Sequence, residues 1–147
     1  KRIATIAGIR YSAVTIDRLE GYKRALKGAG IKLDNSLIAD GEFTEQGGYE
    51  AMKKLLAAKP DAVFSASDIM AVGAMNAIQD AGLKIPDDVA IIGFDDISAA
   101  SMAKVKLTTV RQPIQRFGVK AVELLIDVIN NGMKPAKKRI IHIAFKI

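Results

Sequence analysis

Few side chains in this sequence are placed to do specific chemistry, and six stand out: Arg18, Phe43, Ser67, Asp68, Asp95 and Asp96. A guanidinium donates to two oxygens at once, a carboxylate accepts from paired hydroxyls, and an aromatic ring covers apolar C–H surface. Together they suit a polyhydroxylated small molecule. The set contains no nucleophile beside a base, so the expected activity is binding without catalysis, and no enzyme. Each residue also has a plainer reading. Arg18 could pair with Glu20 on a helix surface, and Phe43 could be a core aromatic. Ser67 or Asp68 could cap a helix, a role that favours Asp68, and Asp95 with Asp96 could form an ordinary turn.

These residues act together only if the fold brings their loops to one place. The stretch VFSASDIMAVGAMNAIQDAGLKIPDDVAIIGFDD, residues 63–96, reads as buried strand, polar turn, alanine-rich helix, loop and second buried strand. Along the chain the hydrophobic period switches repeatedly between two and about 3.6. Strands are predicted at 3–7, 37–40, 62–66, 89–94, 107–110 and 140–145, and helices at 17–29, 46–58, 68–81 and 113–131. The run VAIIGF suggests a central strand covered on both faces. Ala71, Gly73, Ala74 and Ala77 are small enough to let their helix approach the sheet or another chain closely. Alternation of this kind implies right-handed βαβ units and a parallel sheet with helices on both sides. The predicted fold class is therefore α/β: a doubly wound parallel sheet, a flavodoxin-like three-layer α/β/α lobe, with residues 1–147 as one domain. In such sheets ligands sit at the carboxyl ends of the strands, where loops 8–18, 41–45, 66–68 and 94–98 would converge.

Other chemistries find little support. With half its 147 residues hydrophobic and 26% charged, the chain is globular and not disordered. No run approaches the roughly 18 to 20 apolar residues of a membrane span, and the N-terminal apolar run is too short for a signal core. Because the sequence starts abruptly at a strand, a piece of something longer is expected. There is no cysteine, and the single histidine, His142, lies in an apolar strand pattern, so neither a metal site nor a cofactor is expected. The first βα turn, GIRYSAVTID, lacks the dinucleotide-binding glycine pattern, and no phosphate loop or nucleophile elbow occurs. A phosphoryl-accepting receiver is disfavoured, since no acid follows the first strand until Asp17. The net charge of +6 is spread over most helices. Its one dense run, at 134–139, reads as a solvated turn.

The segments DRLEGYKRAL (17–26), GEF (41–43), FSASDIMAVGAMNAI (64–78), IPDDVAIIGFDD (85–96) and LTTVRQP (107–113), in this order, resemble the lac-repressor/galactose-repressor family of transcription regulators. The resemblance implies the C-terminal lobe of a two-lobed effector domain with a periplasmic-binding-protein-like fold. It implies that Arg18 hydrogen-bonds the effector, Phe43 packs on it, Ser67 and Asp95 contact its polar groups, and Gln112 borders the cleft. It further implies a cytoplasmic repressor module that binds a sugar and forms a homodimer, with residues 113–131 belonging to the other lobe. Without that lobe the apolar face of this helix is expected to repack as a fifth βα unit. This chain itself is expected neither to bind DNA nor to meet a membrane, and half a cleft is expected to bind sugar at millimolar strength or undetectably. Two other readings stay open: a structural half-domain without ligand, and a lobe of a periplasmic sugar-transport receptor. Ser67 stands where asparagine is also common in the family, and AKVK precedes Leu107 where a proline-containing run is usual.

Overall fold

The computed structural model describes residues 1–97 and 106–131. Two compact units are formed, Lys1–Arg111 and Gln112–Ile147. The first contains β1 (Ile3–Ala7), α1 (Ala13–Gly28), β2 (Ile38–Asp40), α2 (Glu45–Leu56), β3 (Ala62–Ser65), α3 (Asp68–Asp80), β4 (Ala90–Asp95) and β5 (Thr108–Arg111). The described part of the second is α4 (Ile114–Asn131).

All strand pairs are parallel, and the order is β2-β1-β3-β4-β5. The chain leaves β1 in one direction for β2 and later returns past it to β3. The point where the order reverses therefore lies between β1 and β3. Right-handed crossovers send α2 and α3 to one face of the sheet and α1 to the other.

The core follows from the apolar pattern. Ile6 and Val63 on the strands meet Met52 and Leu55 of α2 and Met70 and Ile78 of α3, all essentially inaccessible to water. Each such side chain contributes about 1.5–3 kcal/mol on leaving water. Two glycines set the distance between α2 and α3. A Cβ on Gly73 would lie 1.9 Å from the Glu45 carbonyl oxygen, and one on Gly48 would lie 2.1 Å from the Met70 carbonyl oxygen. The small residues of α3 thus serve contact within this chain: Ala71, Ala74 and Ala77 are buried, and Gly73 receives α2.

Where structure and sequence pattern differ, the causes are local. The helix predicted from residue 17 begins a turn earlier, at Ala13. Ser12 is extended (φ −73°, ψ 132°), and its carbonyl already accepts from Ile16 N at 3.0 Å. A 3-10 turn at Asn35–Leu37, held by the Asp34 side chain accepting from Ser36 N at 2.9 Å, takes the first residue expected in β2. β4 is less covered than its unbroken apolar run suggests: most of its residues are half-buried, and Ile92 is 36% exposed. None of α4's residues is buried, and Ile114, Val119, Val122, Leu125, Ile126 and Ile129 are exposed. The expected final strand, the basic run at 134–139 and His142 lie outside the described residues.

α1 is anchored at the amino end of the sheet by Tyr22, whose hydroxyl donates to the Ile3 carbonyl at 2.7 Å. Burial, and secondarily the charge of Asp34, holds this phenol above its usual 10.0. One turn earlier on the same helix face stands Arg18, which reaches toward the carboxyl end.

Candidate functional site

The carboxyl edge of the sheet is assembled by four short connections. After β1 the chain runs through Gly8 into α1. After β2 the GEF turn places Glu42 and Phe43 in the left-handed region (φ 55° and 57°), closed by Thr44 N donating to the Gly41 carbonyl at 3.1 Å. This turn folds the Phe43 ring back onto β1's end. A Cβ on Gly8 would lie 2.1 Å from Phe43 Cζ, so only a glycine lets the ring lie against the backbone there. Phe43 also touches the margin of the core, so the plainer reading of it as a core aromatic is partly right.

Arg18 is held on three sides. One terminal nitrogen donates to the Ala66 carbonyl at the end of β3, and the other donates to Asp95 Oδ1 at 3.0 Å. The guanidinium lies 4.0 Å from the centroid of the Phe94 ring, in cation–π contact. Its side chain is 14% exposed and that of Asp95 26%, so the pair is largely desolvated yet open on one side. It does not pair with Glu20. Asp95 and Asp96 both have positive φ (115° and 58°), a strain that sharp turns at binding sites often carry. Asp96 pairs with Arg111 of β5, and Arg10 pairs with Asp40 of β2 at 3.0 Å.

Ser67 stands at the same edge, but its hydroxyl is buried and caps α3, accepting from Met70 N at 3.4 Å. The capping role falls to Ser67 and not, as the sequence favoured, to Asp68. Asp68 is wholly buried and accepts from Thr109 Oγ1 at 2.6 Å and from Ile97 N at 2.9 Å. It therefore ties α3 to β5 and to the turn that carries Asp95 and Asp96. Gln112 is the first residue of the second unit, and its carbonyl accepts from Ile114 N at 2.9 Å.

Arg18, Phe43 and Asp95 thus share the carboxyl edge, with Phe43 and Arg18 reaching the ends of β1 and β3 on either side of the reversal point. Sequence reasoning missed Phe94 as the platform under Arg18, Thr109 as the partner of Asp68, and the Arg10 and Arg111 pairs. The one available signal was an aromatic immediately before an acid at a strand end. Three hollows of the lobe, about 410 Å³ beside Tyr22 and Leu26, about 610 Å³ between α2 and α3 beside Tyr49 and Asp80, and about 320 Å³ beside β4, are lined by none of these residues. Among the described residues no group of three or more His, Cys, Asp and Glu could hold a metal ion. No described helix is long and apolar enough to cross a membrane.

The family profile of the periplasmic binding protein-like domain matches residues 1–145. The chain is 41% identical over 131 residues to the HTH-type transcriptional regulator CelR of Thermobifida fusca, covering 88% of this chain and 38% of that protein. It is 42% identical over 130 residues to the ribose operon repressor of Escherichia coli K12, covering 87% and 39%. A solved complex of transcriptional regulator CelR with cellobiose superposes with a TM-score of 0.86 at 40% identity, covering 90% of this chain and 41% of that one. The chain spans about two fifths of the length of the curated relatives it matches. It belongs to the periplasmic binding protein-like domain family and, within it, to the effector domains of the lac-repressor/galactose-repressor regulators.

Proposed function

We propose that this chain is one effector-binding lobe of a cytoplasmic bacterial transcriptional repressor, that its ligand is a sugar, and that it pairs with a second copy of itself. The observation that carries this reading is the posture of Arg18. A free arginine side chain loses about 2 kcal/mol of rotamer entropy when fixed. Here Ala66, Asp95 and Phe94 fix it before any ligand arrives, which is the preorganisation that binding sites use. Arg18 and Asp95 offer paired donor and acceptor to vicinal hydroxyls, and Phe43 offers an apolar face to the C–H side of the ring. Ser67 can still donate its hydroxyl proton, and the family resemblance adds Gln112 to the residues proposed to meet the ligand. The sugar repressors among its relatives, one solved with cellobiose, favour the same ligand class.

Regulation follows by linkage. A ligand gripped between two lobes favours one lobe arrangement over the other and so changes DNA affinity, by no more than its differential affinity for the two. In this reading α4 contributes to the opposite lobe, which would cover its open stripe. Sedimentation giving a monomer at high concentration would count against the pairing.

The binding test is an NMR titration of the isotope-labelled chain with cellobiose and D-ribose. We expect shifts at the amides of residues 42–43, 66–67 and 95–96 with millimolar affinity, because this lobe buries only part of the ligand. Arg18→Ala removes those shifts and lowers the melting temperature by only a few degrees. Micromolar affinity overturns the half-cleft picture. No shifts, together with a large loss of stability in the variant, makes Arg18 a structural strut.

A further inference from the structure

Three helices begin at the carboxyl edge of the sheet, and their first turns are finished differently. Thr44 caps α2 by accepting from Gly47 N at 2.9 Å, and Glu45 occupies its first turn. Ser67 caps α3, and Asp68 occupies its first turn. The start of α1 has neither: Ser12 makes no side-chain cap, and no acid stands in the first turn. The first amide of α1 to find an acceptor is Ile16 N, on the Ser12 carbonyl at 3.0 Å. Those of Ala13, Val14 and Thr15 meet none among the described residues. Three N–H groups are thus left without a protein partner at the positive end of a 16-residue helix.

An uncapped helix end can simply be hydrated, and alone it identifies nothing. The second observation is Thr15, which is only 3% exposed and whose Oγ1 has no hydrogen-bond partner. Buried hydroxyls nearly always find one, and an orphan points to a missing water, ion or ligand. Its place in the helix says which group it would serve. Oγ1 is three bonds from its own free amide nitrogen, so the two lie within about 4 Å in any rotamer. Thr15 also precedes Arg18 by three residues on α1, a spacing that makes side chains neighbours. Two of the five guanidinium donors of Arg18 meet Ala66 and Asp95, which leaves others for a ligand.

We propose that the start of α1 is a phosphoryl subsite, so that the ligand of this edge is a sugar carrying a phosphoryl group. The inference rests on the sugar-binding reading above and names a substituent which that reading leaves open. One phosphoryl oxygen accepts from the amides of residues 13–15, and the Thr15 hydroxyl donates to a second. Arg18 stands beside them with charge of the right sign. A phosphoryl group suits these donors better than a sugar hydroxyl does, because it accepts at three oxygens and gains from the helix dipole. The nearby acids do not oppose it directly. Asp95 and Asp96 are each paired with an arginine, and Asp17 is exposed to solvent further along the helix.

The experiment repeats the NMR titration with D-ribose, ribose 5-phosphate and inorganic phosphate, on the wild-type chain, Thr15→Val and Thr15→Ser. In the wild type ribose 5-phosphate binds about tenfold more tightly than D-ribose, the worth of a hydrogen bond to a charged group. It also adds shifts at the amides of residues 13–15, and inorganic phosphate alone shifts the same amides more weakly. Thr15→Val removes the orphaned hydroxyl at nearly constant shape, so the ligand-free melting temperature rises while most of the phosphoryl gain is lost. Thr15→Ser restores that gain. A lower melting temperature in Thr15→Val shows that the hydroxyl already has a partner, and overturns the subsite. A sugar phosphate that binds no better than D-ribose, or whose added shifts lie away from residues 13–15, overturns the inference and leaves the sugar site intact. Shifts at residues 13–15 from inorganic phosphate that ribose 5-phosphate does not reproduce identify a free anion as the ligand, and overturn its link to the sugar. Shifts at residues 42–43 and 95–96 from neither sugar nor sugar phosphate defeat the sugar-binding reading itself, and the inference with it.

Discussion

The seam between α2 and α3 and the carboxyl edge of the sheet belong to one lobe but are built by opposite means. At the seam two helices touch backbone to backbone through Gly48 and Gly73, and no ion pair crosses it among the described residues. At the edge the contacts are Arg–Asp pairs, a cation on a ring and four non-glycine residues at positive φ. Close packing holds the first, with two exposed hydrogen bonds, Tyr49 to Asp80 and Asn76 to Glu45, at its margin. The second is held by polar partners that a ligand could share. Stability is therefore expected to concentrate at the seam and ligand response at the edge, and variants can be chosen to test that division.

The largest effect should come from Gly73→Ala. Its methyl would meet the Glu45 carbonyl oxygen at 1.9 Å and come within 2.8 Å of Tyr49 N, both backbone atoms that cannot rotate away. Overpacking against backbone forces the helices apart, and we expect a loss of about 3 kcal/mol, read as a lower urea midpoint. The sugar-induced shifts of the folded fraction should persist. A neutral result would mean that the seam can open freely, and the contrast with the edge would fail.

Asp68 sits where the two regions meet, at the first turn of α3 with its carboxylate turned to β5. Asp68→Asn replaces one acceptor oxygen by a donor, facing either Thr109 Oγ1 or Ile97 N. Facing Ile97 N it sets donor against donor, and facing Thr109 it turns the hydroxyl into an acceptor; either way a bond to a charged carboxylate is lost, at a cost of about 1–2 kcal/mol. Here both readouts should move: the urea midpoint falls, and the turn bearing Asp95 and Asp96 loses its tether, weakening sugar binding as well. A change in stability with unaltered sugar affinity would show that Asp68 serves the fold alone.

How far the sequence foretold this lobe depends on the range of the interaction concerned. Strand cores such as Ile3–Ala7 and Ala62–Ser65 carry their own signature, because consecutive apolar residues covered on both faces leave few alternatives. The order of elements then constrains topology, and topology brings Phe43 and Asp95 to one edge. The partners at that edge leave no local trace. Arg18 bonds to Ala66 and Asp95 across 48 and 77 residues of sequence, and neither partner is encoded in the turn of helix that carries it. Asp68 was misassigned for the same reason. A helix-starting aspartate looks like a cap, and only β5, 41 residues on, reveals that it faces the other way. Ser67, one residue earlier, satisfies the local rule instead. The open stripe of α4 was legible as amphipathic, but periodicity says nothing about what covers it.

Alkaline pH separates both regions from a third joint, the contact of α1 with the start of β1. The folded state holds the Tyr22 phenol above 10.0, so folding favours its protonated form. The stability this contributes is fully present below pH 10.0 and is lost as pH rises through the higher folded value. A Tyr22→Phe variant should be less stable near neutrality, having lost the bond to the Ile3 carbonyl. It should also show a flatter decline of stability with pH above 10. An equally steep decline in the variant would assign the alkaline sensitivity to another group.

The smallest effect is expected at a glycine that sits near the edge yet belongs to neither construction. Gly21 lies inside α1 between Arg18 and Tyr22, is exposed, and has nothing within 4 Å of the position a Cβ would take. Alanine there removes backbone freedom from the unfolded chain and adds no clash, for a gain of about 0.5–1 kcal/mol. Gly21→Ala should therefore raise the urea midpoint slightly and leave the sugar-induced shifts at residues 42–43 and 95–96 unchanged. Against the large loss expected at Gly73, this result would show that the seam's sensitivity comes from the carbonyl facing it and not from a general need for helical glycine. A loss of stability at Gly21 would instead mean that α1 meets another surface on this side, and the freedom of its exposed face would have to be given up.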